Sequence, residues 1–99
     1  MNFEWDEKKN ISNIKKHGIS FEEAAQVFGD REVISVPDDE HSHEEERWIT
    51  IGQTMSQGLI VVVHTERIKG VHEYIRIISA RKSTKRENRE YFQKTGGVR

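Results

Sequence analysis

His72-Glu73-Tyr74-Ile75-Arg76-Ile77-Ile78-Ser79-Ala80-Arg81-Lys82 is a run of β-formers with an arginine in its middle and another near its end. The run reads as a sheet strand, because β-branched and aromatic residues favour a pleated, half-buried surface. Arginine is almost never fully buried without a partner. Arg76 must therefore meet a carboxylate, reach solvent at the strand edge, or face a cleft that accepts an anion, and the cleft is the expectation. Upstream, Lys69-Gly70 predicts a turn, and Leu59 to Arg67 contains the most apolar strand, read as central. Gln53 to Gly58 connects it to a strand over Arg47 to Gly52, and Glu32 to Val36 alternates as a further strand that Pro37-Asp38-Asp39 ends. Short links between consecutive strands imply an antiparallel meander.

The flanks read as helices. Asp6 is an N-cap and Gly18 a C-terminal stop for a helix through about Lys16, whose interior apolar residues are Ile11 and Ile14. His17, beside Gly18, is expected to cap or pack. Ser20 to Glu23 forms a capping box, and Phe21, Ala24, Ala25 and Phe28 give the next helix one apolar face, ended by Gly29. Thr84 to Glu87 is a second capping box that opens a terminal helix through about Lys94, with Tyr91 and Phe92 as its large apolar contacts. The expected fold class is α+β, with two N-terminal helices, a four-stranded, mostly antiparallel sheet and a C-terminal helix. Residues 1–94 form one domain, and 95–99 are expected to be a flexible tail.

Composition narrows the function classes. A third of the residues are charged and there is no cysteine, which excludes a disulfide framework and a thiolate zinc site and fits a cytoplasmic protein. The longest apolar run, Leu59 to Val63, is far too short to span a membrane, and no signal-peptide pattern precedes it. Net charge is −1, yet residues 1–50 carry 6 Lys+Arg against 13 Asp+Glu while residues 51–99 carry 10 against 4. Such a split suggests a polyanion or acidic partner for the second half, or two halves that neutralise each other in the fold. The acidic loop 38–46 (DDEHSHEEE) contains His41 and His43, but no third ligand follows at a diagnostic spacing. A solvated loop without metal is expected there, with no role that its residues reveal.

No glycine-rich phosphate loop, HExxH or nucleophile elbow is present. What remains is a cluster of Glu66, Arg67, Arg76, Arg81 and Lys82, with His64 nearby and Tyr91 on the last helix. Strand alternation puts His64 and Glu66 on one face, and Thr65 and Arg67 on the other. It puts Tyr74, Arg76 and Ile78 together, opposite Ile75, Ile77 and Ser79. Arg67 and Arg76 then lie in adjacent strands at similar depth. Arginine forks suit phosphate, but ordinary ion pairs, Arg76 with Glu66 or Glu73 and Arg81 with Glu87, would explain the same residues.

Phe3-x-Trp5-Asp6-x-x-Lys9, Asn13-x-x-Lys16-His17-Gly18-Ile19-x-Phe21-x-x-Ala24 and Phe28-x-Asp30 resemble the BrnT family of bacterial type II toxins. So do Glu45/Glu46-Arg47, Ile51-Gly52, Val63-x-Thr65-Glu66-Arg67, Ile75-Arg76-Ile77-Ile78-Ser79-Ala80-Arg81, Glu87, Arg89 and Tyr91. The resemblance covers roughly residues 3–92, with one departure, His64 where an aromatic such as Tyr is expected. It implies a RelE-like fold and a toxin that inhibits translation by cleaving RNA without a cofactor or metal. It also implies a cognate BrnA-like antitoxin with a ribbon-helix-helix domain, and operator DNA reached only through that antitoxin. On this reading Arg67, Arg76 and Arg81 are expected to stabilise phosphate charge. Glu66 is a candidate base or arginine partner, and Tyr91 a candidate proton donor or acceptor. Lys82, Lys85 and His64 are expected to contact RNA. A non-catalytic co-repressor that acts by holding a DNA-binding antitoxin is the alternative, and a degenerate toxin that keeps only the fold is a third reading.

Overall fold

The computed structural model describes residues 1–43 and 45–96. The elements are β1 (Asn2–Glu4), α1 (Glu7–His17), α2 (Phe21–Ala24), β2 (Ile34–Pro37), β3 (Arg47–Thr54), β4 (Gly58–Lys69), β5 (His72–Lys82) and α3 (Lys85–Lys94). Among the described residues they build one five-stranded sheet in the order β1-β5-β4-β3-β2. β2 to β5 are antiparallel neighbours, as the short links imply, and β1 adds a parallel edge strand, Phe3 opposite Ile75. The sheet is therefore mixed and five-stranded, not four-stranded. β1 escapes sequence reading because three residues are too few to show alternation. Past α2 the chain tightens into a 3₁₀ turn at Ala25–Gly29, so the second helix is shorter than its apolar spacing suggests. Of the expected tail, residues 97–99 lie outside the described residues.

One face of the sheet carries the core. Ile60, Val62, Ile75, Ile77 and Ala80 pack with Ile19, Phe21, Ala24 and Val27. Gly52 belongs to this contact, since a Cβ there would lie 3.1 Å from the Val27 Cβ. The 3₁₀ segment can approach the sheet closely because that position is empty. Strict alternation in β5 fails at one place. Val63 pairs with Ser79 but His64 pairs with Ile77, which leaves Ile78 as a bulged extra residue. Beyond the bulge the faces exchange, so Ala80 and not Ser79 joins Ile75 and Ile77 in the core.

α1 corrects a second expectation. Its caps are as predicted: Asp6 accepts from the Lys8 and Lys9 backbone N–H groups, and Gly18 stops the helix at φ 70°. Its inward face, however, is Asn10 and Asn13, while Ile11 and Ile14 are 49% and 43% exposed. The Asn13 amide donates to the backbone oxygens of Ile19 and Ala80, both at 2.9 Å, and accepts from the Ala80 N–H at 3.2 Å. β1 ends opposite Arg76, so the Ala80 backbone beyond it lacks a strand partner. Asn13 supplies the missing peptide-like pairing. Asn10 accepts from the Phe21 N–H at 2.8 Å and thereby ties α1 to α2.

Candidate nucleic-acid interface and active site

The bulge and the register put a charged cleft on the face opposite the core. Arg47 pairs with Thr65, Thr65 with Arg76, and Arg76 with Glu4. Directly paired residues point to the same side, so the four form one row across β3, β4, β5 and β1. Strands lie about 4.8 Å apart, which separates the Arg47 and Arg76 backbones by roughly 10 Å. Arg67 stands two residues further along β4 on this side. The cleft, about 350 Å³, is also lined by Lys9 of α1, by the bulged Ile78, and by His41, His43 and Glu45 of the acidic loop. Thr65 is 3% exposed and its hydroxyl has no partner of hydrogen-bond geometry.

The loop is closed on itself. The Asp38 N–H donates to the Arg47 carbonyl at 2.8 Å, and the Ser42 hydroxyl donates to the Asp38 carbonyl and accepts from the Arg47 N–H. Within it, His41 Nδ1 sits 2.9 Å and 3.1 Å from the two oxygens of Asp38, with Asp38 13% and His41 59% exposed. Glu45 reaches across the cleft and accepts two bonds from Arg67, from Nε at 2.7 Å and Nη2 at 3.3 Å. Those bonds, more than the nearby charges of Arg67 and Arg76, hold the Glu45 carboxyl below its ordinary range, and they raise Arg67 in turn. Among the described residues no cluster of three or more His, Cys, Asp or Glu is arranged to hold a metal ion.

Of the residues singled out from sequence, Arg67 and Arg76 meet in this cleft and the others do not. Glu66 points to the opposite face, as its alternation with Arg67 requires, and burial foremost pushes its carboxyl up. Arg81 is opposite Val61, four residues along β4 from Thr65, or about 13 Å. There it makes a two-pronged ion pair with Glu87 of α3, at 2.8 Å and 2.9 Å, which draws Glu87 down to about 2. Tyr91 is 2% exposed and donates to Asp30 Oδ2 at 2.5 Å. It lines a separate apolar groove with Ile34, Ile51 and Val61. Lys82 donates to the backbone and side-chain oxygens of Gln57 and steadies the β3–β4 turn, while Lys85 is exposed at the start of α3. Sequence reasoning missed Lys9, Arg47, Glu45 and the two imidazoles. The density of titratable groups in DDEHSHEEE, directly before an arginine that opens a strand, was the available signal.

His64 is not a surface contact but a core residue, fully buried. Its Nε2 lies 2.5 Å from the Thr50 hydroxyl, which is 2.7 Å from that of Ser35, and its ring meets Phe28 edge to face. Burial lowers its pKa from 6.5 to about 4. The unfolded chain thus takes up this proton first as pH falls. The neutral imidazole's contribution is complete above pH 6.5 and is lost between 6.5 and about 4, up to roughly 3 kcal/mol. Urea midpoints at pH 7 and pH 4.5 are expected to show that loss in the wild type and a clearly smaller one in His64→Phe. Equal losses would assign the effect elsewhere.

Residues 5–87 match the family described as ribonuclease toxin, BrnT, of type II toxin–antitoxin systems. The chain belongs to the BrnT toxin family. Among solved structures it is similar to the 1.1 Å crystal structure of the Brucella abortus ribonuclease toxin BrnT, with TM-score 0.62 and 24% identity. That alignment covers 86% of this chain and 99% of the other, and at this identity it speaks for a shared BrnT fold. No curated protein matches the chain. Membership in a type II toxin family implies an antitoxin partner. Among the described residues no helix of this BrnT chain is long and apolar enough to cross a membrane.

Proposed function

We propose that this BrnT chain is a cytoplasmic, RelE-like endoribonuclease toxin that inhibits translation by metal-independent cleavage of mRNA. The observation that carries the reading is the row Arg47–Thr65–Arg76 with Arg67 beside it, a set of cations on one face of the sheet. Cleavage by transesterification joins a ribose 2′-oxygen to the adjacent phosphorus and releases the 5′-oxygen, and negative charge concentrates on the phosphoryl oxygens between. Arg76 and Arg47 flank the place where that charge would sit, Arg67 and Lys9 complete the surround, and Thr65 offers a hydroxyl donor. A BrnA-like ribbon-helix-helix antitoxin neutralises the toxin by covering the cleft, and operator DNA is contacted only through that antitoxin.

The test is induction of the chain alone in bacteria, followed by growth and RNA integrity, together with cleavage of purified RNA in excess chelator. Arrested growth with RNA fragments that persist under chelation is expected. Intact growth and intact RNA would overturn the reading and favour the non-catalytic co-repressor.

Glu45 occupies two donors of Arg67 that RNA phosphate would otherwise use. Glu45→Gln is expected to tighten RNA binding up to about fivefold, the scale of an exposed ion pair near 1 kcal/mol. The slope of log affinity against log salt, about −0.7 per neutralised phosphate on a single strand, should steepen from near −2 toward −3. Fluorescence anisotropy across a salt series measures both, and unchanged binding would show that Glu45 does not compete with RNA.

A further inference from the structure

We propose that His41, oriented by Asp38, is the group that takes the proton from the attacking 2′-hydroxyl, and that His43 returns a proton to the departing 5′-oxygen. This rests on the ribonuclease reading and assigns the two proton transfers it requires.

Glu66 and Tyr91, the acid–base candidates read from sequence, are turned away from the arginine row, so the base must come from another side chain lining the cleft. Imidazole is the natural one, because its ordinary pKa near 6.5 lets it accept and give a proton near neutral pH. His41 and His43 both line the cleft with Arg67 and Arg76. His41 is further distinguished by its two contacts to Asp38 at 2.9 Å and 3.1 Å. These fix Nδ1–H toward the carboxylate, leave Nε2 as the basic nitrogen, and stabilise the imidazolium once it forms. Asp38 is itself held, its N–H on the Arg47 carbonyl and its carbonyl bonded by Ser42. The dyad is thereby tied to the first residue of β3, the strand that supplies Arg47 to the same row.

The step balances without a further reactant. The 2′-O–H proton passes to His41 Nε2 as the O2′–P bond forms. The P–O5′ bond breaks as O5′ receives a proton from the His43 imidazolium. The products are a 2′,3′-cyclic phosphate and a 5′-hydroxyl.

The experiment uses the purified full-length toxin and an end-labelled single-stranded RNA in excess chelator. His41→Ala is expected to slow single-turnover cleavage by about 10²–10⁴, to leave RNA affinity within about twofold of wild type, and to regain at least tenfold with added imidazole. Asp38→Asn, a positioning change, should lower the rate with unchanged affinity and show no imidazole rescue. A substrate with sulfur in place of the bridging 5′-oxygen has a leaving group that needs no proton. It should restore cleavage by His43→Ala but not by His41→Ala. Near-wild-type rates in His41→Ala, a loss matched by lost affinity, failed rescue, or sulfur rescue of the His41 variant would each overturn the assignment while the ribonuclease reading stands. A wild type that cleaves nothing overturns both.

Discussion

Arg76→Ala is expected to lower RNA cleavage by about 10²–10³ and to abolish growth arrest. The variant removes one oriented cationic donor from a site of developing charge, a loss of roughly 3–4 kcal/mol by analogy with oxyanion donors. Arg76 is half-buried in the row, paired with Thr65, through which the row continues to Arg47. Its backbone is paired on both sides, to β4 and to β1, so its fork is presented from within the sheet rather than from an edge. Arg76→Lys keeps a charge and loses the planar fork, and should recover activity only partly, about tenfold below wild type. Single-turnover cleavage at saturating protein reads the loss directly. A melting temperature within a few degrees of wild type is expected, because the core faces the other side. Undiminished toxicity in Arg76→Ala would move the site away from this row.

Asn13→Ala is expected to destabilise the domain by about 3–5 kcal/mol. Three buried polar groups lose their partner at once: the Ala80 N–H, the Ala80 carbonyl and the Ile19 carbonyl. Each unpaired buried group costs about 1–3 kcal/mol, and a domain of this size holds only about 5–15 in all. Asn13→Asp keeps one acceptor, gives up the donors and adds a buried charge, so it should be no better. Ile11→Ala, two positions away on the exposed side, should fall within about 1 kcal/mol. Urea denaturation of the three variants orders them, and a mild Asn13→Ala would mean that water or a shifted β1 satisfies the strand edge.

The contrast between Asn13 and Ile11 shows where sequence reading stopped. Caps were legible because their chemistry is local: Asp6, Ser20 and Thr84 each bond a backbone N–H two or three residues on. The meander was legible because β3, β4 and β5 announce themselves by composition and short turns. The docking of α1 was not, since asparagines on a helix look solvated unless the strand edge they complete is known. The cleft divided along the same line. Arg67 and Arg76 follow from alternation within two neighbouring strands. Arg47 needed the β3 register, and Lys9 needed the placement of α1. His64 failed because alternation says which face a residue is on, not whether helices cover that face, and here Phe28 lies against it.

Ser42 fastens the root of the loop that carries the imidazoles. Its hydroxyl and the Asp38–Arg47 backbone bond close the loop at its root, while Glu45 pins its far side to Arg67 of β4. Residues can be gained or lost within the closed ring at a cost that grows only with the logarithm of its length. If His41 and His43 handle the protons as proposed, the loop that carries the chemistry can change in length while the arginine row beneath it keeps its place in the sheet.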